Sequence, residues 1–318
     1  MRGSRLIAAA TTALLLAAGC GTSAGEPPPA GQPDKVNTGV IAIVDVAPIY
    51  LGKKQGFFTE QNIDLTLTTA QGGAAIVPAV LSKEFQFGFS NTISLLVGAS
   101  RNVPVKAVAN GVNSTGADGK DYAGLFVKAG SPIKSPKDLV GRTVAANTLK
   151  NIVETTVRES VRKDGGDAAA VKFTELAFPD QVPALQNGSV DAIFVVEPFQ
   201  QAAVAAGARK IASSYVDAAP DLTVAMYFTS NELLQTNPDL VRRFTEAMKK
   251  SLAYADQHPD EVRAVLADYT KIAPEARAAL VLPKWPAEVN RASVDKLAGL
   301  AVTDGLLPAA PDLATLLP

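Results

Sequence analysis

The sequence predicts an α/β protein made of two lobes, on three observations. The chain has 318 residues, of which 47% are hydrophobic, enough for two cores at about 100–200 residues per domain. Short apolar stretches typical of strands alternate with stretches of helical periodicity. A pattern of helix, tight turn and strand also occurs twice, at 77–89 and at 182–195. Two lobes of this kind would face each other across a cleft.

Alternating or continuous apolar residues predict four strands in the first part of the chain, at 36–46, 63–67, 85–89 and 103–109. A helical stretch follows each of the first three strands. Gly72 and Gly73 form the turn between the second strand and its helix. A polar loop at 111–120 then separates this part from the rest of the chain.

A second α/β series begins after that loop. Its strands are predicted at 123–127, 142–146 and 190–196. Helices are predicted to start at residues of N-cap type, namely Ser135, Asn147 or Thr148, and Asn237. From Asn237 onward the chain is mainly helical.

Charge and composition exclude several classes of function. The chain has 30 basic and 31 acidic residues and a formal charge of −1, so a nucleic-acid partner, which needs concentrated basic charge, is not expected. One cysteine and one histidine exclude an intramolecular disulfide and are too few for structural zinc or common catalytic triads. We expect no metal, no cofactor and no enzymatic activity.

The N-terminus resembles a bacterial lipoprotein signal. Arg2 and Arg5 precede an apolar stretch at 6–18, which is followed by small residues and Cys20. The apolar stretch is shorter than the ~20 residues of a membrane-spanning helix. Such signals usually have Leu at the position of Ala17. The expectation is a lipidated Cys20 and an extracytoplasmic protein anchored to the cell membrane.

Several short motifs together resemble one family. They are Val46-Ala47-Pro48-Ile49-Tyr50, Gly56-Phe57-Phe58, Gly72-Gly73-Ala74-Ala75, the segment 133–141, Gly188-Ser189-Val190-Asp191-Ala192, Glu197-Pro198-Phe199 and Asn237-Pro238. Their order is similar to that in substrate-binding lipoproteins of ABC importers for nitrate, sulfonates and taurine. The resemblance covers about 36–259, and the family includes relatives that bind the pyrimidine precursor of thiamine.

The resemblance implies a type II periplasmic-binding-protein fold, in which two α/β lobes joined by two hinge crossings close on a ligand. The crossings would fall near Val127 and Met226. The implied organisation is a signal peptide at 1–19, the lipidated cysteine and a flexible tether at 20–35, lobe one at 36–127 plus 226–318, and lobe two at 128–225. The implied partners are a small-molecule solute and an ABC permease with its ATPase, and we expect a monomer.

Candidate ligand-binding residues lie where strands end, since ligands of open α/β sheets bind beyond the carboxyl ends of strands. In lobe one the candidates are Asp45, Pro48, Ile49, Tyr50, Gly72, Gly73, Ala74, Ser90, Asn91 and Thr92. The glycines would let the backbone N–H groups of a helix start approach an oxyanion. The alternatives are an ordinary turn for the glycines, helix capping for 90–92 and core packing for Tyr50.

Lobe two contributes Asn147, Thr148 and Glu197 as candidates. Asn147 and Thr148 have helix capping as their alternative role, and Glu197 could instead accept bonds from backbone N–H groups of lobe two. If Asp45 and Glu197 both faced the ligand, a bare inorganic anion would be repelled. The sequence therefore favours an organic solute with N–H groups.

The leading hypothesis is a solute-binding lipoprotein that delivers a sulfonate- or taurine-like compound, or a related organic anion, to an importer. A thiamine-pyrimidine precursor or an aromatic carboxylate is the alternative ligand within the family. A non-transport surface sensor is an alternative of another class. An enzyme resembling the pyrimidine synthases is disfavoured, because those enzymes use a histidine and a cysteine cluster that this chain does not contain.

Overall fold

The structure is a computed structural model that describes residues 31–318. The expected signal peptide, Cys20 and most of the tether lie outside the described residues. None of the helices from residue 31 onward is both long enough and apolar enough to cross a membrane.

Within residues 31–318 the chain forms ten strands and fourteen α-helices. The strands are β1 (Asp34–Val40), β2 (Ile63–Thr69), β3 (Phe87–Asn91), β4 (Val105–Asn113), β5 (Ala123–Val127), β6 (Thr143–Ala146), β7 (Lys172–Glu175), β8 (Ala192–Val196), β9 (Arg209–Ala212) and β10 (Thr223–Ser230). The helices are α1 (Ala47–Lys54), α2 (Phe57–Glu60), α3 (Gly73–Leu81), α4 (Thr92–Ser100), α5 (Ile152–Lys163), α6 (Phe178–Asn187), α7 (Phe199–Ala205), α8 (Ser214–Ala218), α9 (Asn231–Thr236), α10 (Pro238–Gln257), α11 (Pro259–Val265), α12 (Pro274–Ala278), α13 (Arg291–Thr303) and α14 (Leu313–Leu316).

The strands form two five-stranded sheets, in the orders β2-β1-β3-β10-β4 and β7-β6-β8-β5-β9. In each sheet four strands run in one direction and one strand is reversed, β10 in the first sheet and β5 in the second, so that this strand pairs antiparallel with both of its neighbours. The expected α/β architecture with two lobes is confirmed. The twice-occurring sequence pattern corresponds to α3 with β3 and α6 with β8, and β3 and β8 occupy the same place in their sheets.

The chain changes sheets between β4 and β5 and again between β9 and β10. The expected crossing points, Val127 and Met226, both lie inside strands. Val127 pairs with Ala192 in the second sheet, and Met226 pairs with Ser90 in the first. The changeovers therefore fall at 114–122 and 213–222. β5 and β10 are largely apolar, so the sequence there contains no signal that distinguishes a changeover between sheets from the interior of a strand.

The first predicted strand, at 36–46, is too long. β1 ends at Val40, and Val44–Val46 forms a short 3-10 helix before α1. The reason is that buried turns and buried strands are equally apolar, so an apolar run alone does not locate a strand end. The helix start at Asn237 is confirmed, because its Oδ1 accepts a hydrogen bond from the Leu240 backbone N–H at 3.1 Å.

Candidate functional site

A cavity of about 360 Å³ lies between the carboxyl ends of strands from both sheets. Its wall comes from the segments after β1, β2 and β7 and from the start of α7. The lining residues are Ile41, Ala42, Ile43, Thr69, Ala70, Gln71, Ala177, Phe178, Pro179 and Phe199. None of these ten is charged, and the rings of Phe178 and Phe199 stack with centroids 5.7 Å apart. The wall suits the apolar part of a small molecule.

The first turn of α3, which closely follows the cavity-lining Gln71 in the chain, packs against the end of β3. A Cβ added to Gly73 would stand 2.1 Å from Oγ of Ser90, so glycine is required for this approach. The Ser90 side chain is fully buried, and its hydroxyl has no hydrogen-bond partner among residues 31–318. Leaving a buried hydroxyl unpaired costs about 1–3 kcal/mol. A ligand oxygen that accepted from Ser90 would remove that cost. Ala74 contributes its backbone to the same turn.

Gly72 brings the two lobes into contact. A Cβ at Gly72 would lie 2.8 Å from Cγ2 of Thr148 and 3.5 Å from Nδ2 of Asn147. The structure therefore brings together Gly72, Gly73 and Ser90 from the first sheet with Asn147 and Thr148 from the second. These residues form a cluster of polar side chains and glycine backbone where the two lobes are in contact. The lobes are therefore closed on each other at this point.

The N-cap of α5 is Asn151 and not Asn147 or Thr148, so that expectation is wrong. Oδ1 of Asn151 accepts from the Val153 backbone N–H at 2.9 Å. Its Nδ2 donates to Oδ1 of Asn147 at 3.0 Å and to Oγ1 of Thr148 at 2.9 Å. The loop before the helix runs longer than the sequence suggested, which leaves Asn147 and Thr148 at the cleft. Because Thr148 only accepts here, its hydroxyl proton can still be donated.

Asn91 and Thr92 have structural roles. Asn91 is the N-cap of α4, accepting from the Ser94 backbone N–H at 2.9 Å. The Thr92 hydroxyl is buried and donates to the backbone carbonyl of Thr223 at 2.7 Å. Of residues 90–92, Ser90 is therefore the one whose hydroxyl has no partner in the part of the chain that the structure describes.

The α1 candidates are mainly packing residues. Pro48 and Ile49 are buried in the first turn of α1. Tyr50 is half-buried, and its ring stacks on Tyr269 with centroids 3.9 Å apart and planes 10° apart. The Tyr269 hydroxyl donates to the backbone carbonyl of Ile43 at 3.1 Å. Through this bond the ring pair is connected to Ile43, one of the cavity-lining residues.

Asp45, two residues after the cavity-lining Ile43, is buried, with 2% of its surface exposed. Its Oδ2 accepts from the Tyr122 hydroxyl at 3.0 Å, and its backbone carbonyl accepts from Nε1 of Trp285 at 3.1 Å. Oδ1 has no hydrogen-bond partner in the described part of the chain. Burial raises the pKa of Asp45 to about 7, although the bond from Tyr122 opposes this.

Glu197 links segments of the two sheets. Its Oε1 accepts from the Val281 backbone N–H at 3.2 Å and from Nε2 of Gln200 at 3.1 Å, and its Oε2 accepts from the Gln201 backbone N–H at 3.2 Å. Its backbone carbonyl accepts from the Val44 backbone N–H at 3.0 Å. Burial raises the pKa of Glu197 to about 7. The side chain therefore accepts from backbone N–H groups, as in the second of its two expected roles, but only Gln201 of these two donors lies in the expected lobe two, whereas Val281 lies in lobe one.

Sequence reasoning missed the residues that line the cavity. Ile41 to Ile43 fall inside the strand predicted at 36–46, and Phe178 belongs to none of the family motifs. Phe199 belongs to the Glu197-Pro198-Phe199 motif but is not among the candidate ligand-binding residues. The rule that ligands bind beyond strand ends points to Ile41 once β1 ends at Val40. Ala177 follows β7, a strand that the sequence pattern did not predict. The described residues contain no group of three or more histidine, cysteine or carboxylate side chains suited to a metal ion.

Known proteins share both the sequence pattern and the fold. Residues 43–262 match the family described as NMT1/THI5 like. The chain is 23% identical over 219 residues to the taurine-binding periplasmic protein of Escherichia coli, a match that covers 68% of this chain and 65% of that protein. It is 22% identical over 228 residues to 4-amino-5-hydroxymethyl-2-methylpyrimidine phosphate synthase THI12 of Saccharomyces cerevisiae, covering 67% of this chain and 64% of that protein. The chain thus spans slightly less than two thirds of the length of these curated relatives.

The fold is that of periplasmic binding proteins. The alkanesulfonate-binding protein SsuA from Xanthomonas axonopodis pv. citri, bound to MOPS, superimposes with a TM-score of 0.74 at 16% identity, covering 91% of this chain and 99% of that one. The family match extends over more than half of the chain and contains Asp45, the two cleft glycines, Ser90, the Asn147–Thr148 pair and Glu197. The chain belongs to the NMT1/THI5-like family.

Proposed function

We propose that this protein is the extracytoplasmic solute-binding component of an ABC importer and does not itself catalyse a reaction. The observation that carries the proposal is the cleft between the sheets. The cleft contains an uncharged cavity of about 360 Å³. Gly73, two residues after the cavity-lining Gln71, packs against Ser90, whose hydroxyl is buried and has no partner among residues 31–318. Small-molecule sites combine apolar walls with a few polar groups in this way. Relatives named for binding taurine and alkanesulfonates support the same function.

The ligand is proposed to be a small organic anion of the sulfonate or taurine type. Its acidic group would accept from Ser90 and Thr148 and lie near the backbone of Gly72 and Gly73, whose lack of side chains permits close approach. Its carbon skeleton would occupy the cavity beside Phe178 and Phe199. Asp45 and Glu197 bond to protein groups, so an organic ligand is favoured by the apolar walls and not by repulsion from these two acids.

The lobes are proposed to close on the ligand about the two changeovers at 114–122 and 213–222. A ligand shifts a conformational equilibrium only by preferring one state, so the bound solute would favour the closed form. A membrane permease with its ATPase would recognise this closed, loaded form. We also propose that the protein is a monomer and that a lipid on Cys20 holds it at the membrane.

The test is a thermal-shift screen with taurine, alkanesulfonates, nitrate, aromatic carboxylates and the thiamine pyrimidine. A ligand at 100 times its Kd adds about 2.7 kcal/mol of stability, so one class should raise the melting temperature clearly. No shift across the panel, after unfolding and refolding to strip retained ligand, contradicts the proposed cargo.

Two hydroxyl variants sharpen the screen. Ser90→Ala removes an unpaired hydroxyl, so ligand-free stability should stay the same or rise, while affinity for the active compound falls about tenfold, the value of a bond to a charged acceptor. Thr92→Val removes a hydroxyl bonded to Thr223 and should instead lower stability and leave affinity unchanged. The reverse pattern would exclude Ser90 from the ligand site.

A flat aromatic ligand is the second candidate, because Phe178 and Phe199 present stacked rings to the cavity. The thiamine-pyrimidine precursor and aromatic carboxylates belong to this class. Phe199→Leu should weaken binding of a ring compound more than binding of taurine. Equal effects on both would remove the support that the ring pair gives to an aromatic ligand.

A further inference from the structure

An ion pair joins the two halves of the molecule away from the cavity. Arg162, in the last turn of α5, donates through Nη2 to Oδ1 of Asp304 at 2.6 Å. Asp304 directly follows α13, and α13 packs against α4 and β10 as well as against α5. The pair therefore connects a helix of the second sheet to a C-terminal helix that packs on the first.

The two carboxylates that bond to Arg162 are buried. The side chain of Asp304 is 3% exposed and that of Glu159, the other carboxylate bonded by Arg162, is 7% exposed. One guanidinium thus serves two buried acids, and removing a partner from a buried ion pair leaves a charge uncompensated. Oδ2 of Asp304 has no hydrogen-bond partner within residues 31–318, and burial raises the pKa of this carboxyl. Arg162 is the hydrogen-bonded group that compensates Asp304, and Arg158 adds a smaller attraction.

The pair lies far from the ligand cleft along α5. The helix begins at Ile152, close to the contact between Thr148 and Gly72. At about 1.5 Å per residue, Arg162 is about 15 Å further along the helix axis. A separate cavity of about 430 Å³ borders both Arg162 and Asp304. This cavity leaves a gap in the packing beside the pair, between the end of α5 and the end of α13.

We propose that Arg162 and Asp304 form a latch that stabilises the closed arrangement of the lobes whether or not a ligand is bound. The inference rests on the proposed closure of two lobes but not on the identity of the solute. Apparent affinity scales with the fraction of molecules in the binding-competent state. A weakened latch consequently lowers the affinity for every ligand by the same factor.

The test measures lobe separation in the ligand-free full chain. Spin labels on Asp64→Cys and Lys172→Cys, both exposed and in different sheets, report the distance distribution in a Cys20→Ser background. Asp304→Asn should raise the ratio of open to closed molecules about tenfold, within the range for coupled contacting residues. The control is Glu232→Gln, which removes an exposed pair with Lys83 inside one lobe and should leave the distances unchanged.

Identical distance distributions in Asp304→Asn and the parent protein, with native circular dichroism, overturn the latch. If Asp304→Asn does not fold, Arg162→Lys carries the same test, because lysine keeps the charge and loses the forked contact with both acids. If Asp304→Asn opens the lobes while no compound in the screen stabilises the protein, the latch stands and the proposed solute fails.

Discussion

Replacing Asp45 by asparagine should change how stability depends on pH. Burial raises the pKa of Asp45 from 3.8 to about 7. The folded state therefore binds a proton more tightly than the unfolded state between about pH 4 and pH 7, and the free energy of unfolding falls as the pH rises through that window. About three pH units at about 1.4 kcal/mol each set an upper limit of about 4 kcal/mol.

Asp45→Asn removes this loss of stability at high pH because the amide stays neutral. The amide oxygen can still accept a hydrogen bond from Tyr122. The stability of the variant relative to the parent should rise by up to about 4 kcal/mol from pH 4 to pH 8. Urea unfolding of ligand-free protein at pH 4, 6 and 8 measures the difference. Tyr122→Phe deletes the bond that lowers the Asp45 pKa, so its stability should continue to fall to higher pH than that of the parent protein. A variant-to-parent difference that is equal at all three pH values refutes the reasoning.

Two glycine substitutions give further predictions. Gly72→Ala places a Cβ 2.8 Å from Thr148, so lobe closure and ligand affinity should fall, whereas Gly98→Ala, whose nearest contact is 3.6 Å, should leave affinity unchanged in a calorimetric titration. Gly299→Ala, inside α13 with no atom within 4 Å of the added carbon, should raise the free energy of unfolding by about 1 kcal/mol, as measured in urea. A loss of stability in Gly299→Ala would show that α13 needs glycine there.

The sequence was sufficient for those features that depend on local pattern. Alternating strands and helices and N-caps such as Asn237 depend on neighbouring residues. The helix, turn and strand pattern is also local, and it predicted the equivalence of β3 and β8. Gly72 and Gly73 could be predicted as site residues because a tight turn and a close approach of the backbone to a ligand both require glycine.

Features formed by distant residues were beyond the sequence. Asp45 bonds Tyr122, and Glu197 bonds the backbone of Val281, so their buried carboxylates could not be separated from cleft-facing ones by spacing. Phe178 and Phe199 meet only because α6 and α7 start at the same edge of the second sheet. The end of β1 was misplaced because Ile41 and Ile43 are as apolar as the strand.

The strand order also determines when each sheet can be completed as the chain emerges from N- to C-terminus. The second sheet consists of one uninterrupted segment, β5 to β9, and can assemble as soon as Ala212 is available. In the first sheet, as formed by residues 31–318, β4 is an edge strand, and β10 is the strand that pairs with it. β4 ends at Asn113, whereas β10 begins at Thr223. An unpaired strand edge is a template for aggregation, so a chain released before Thr223 would expose β4, and the first lobe must be the last to mature.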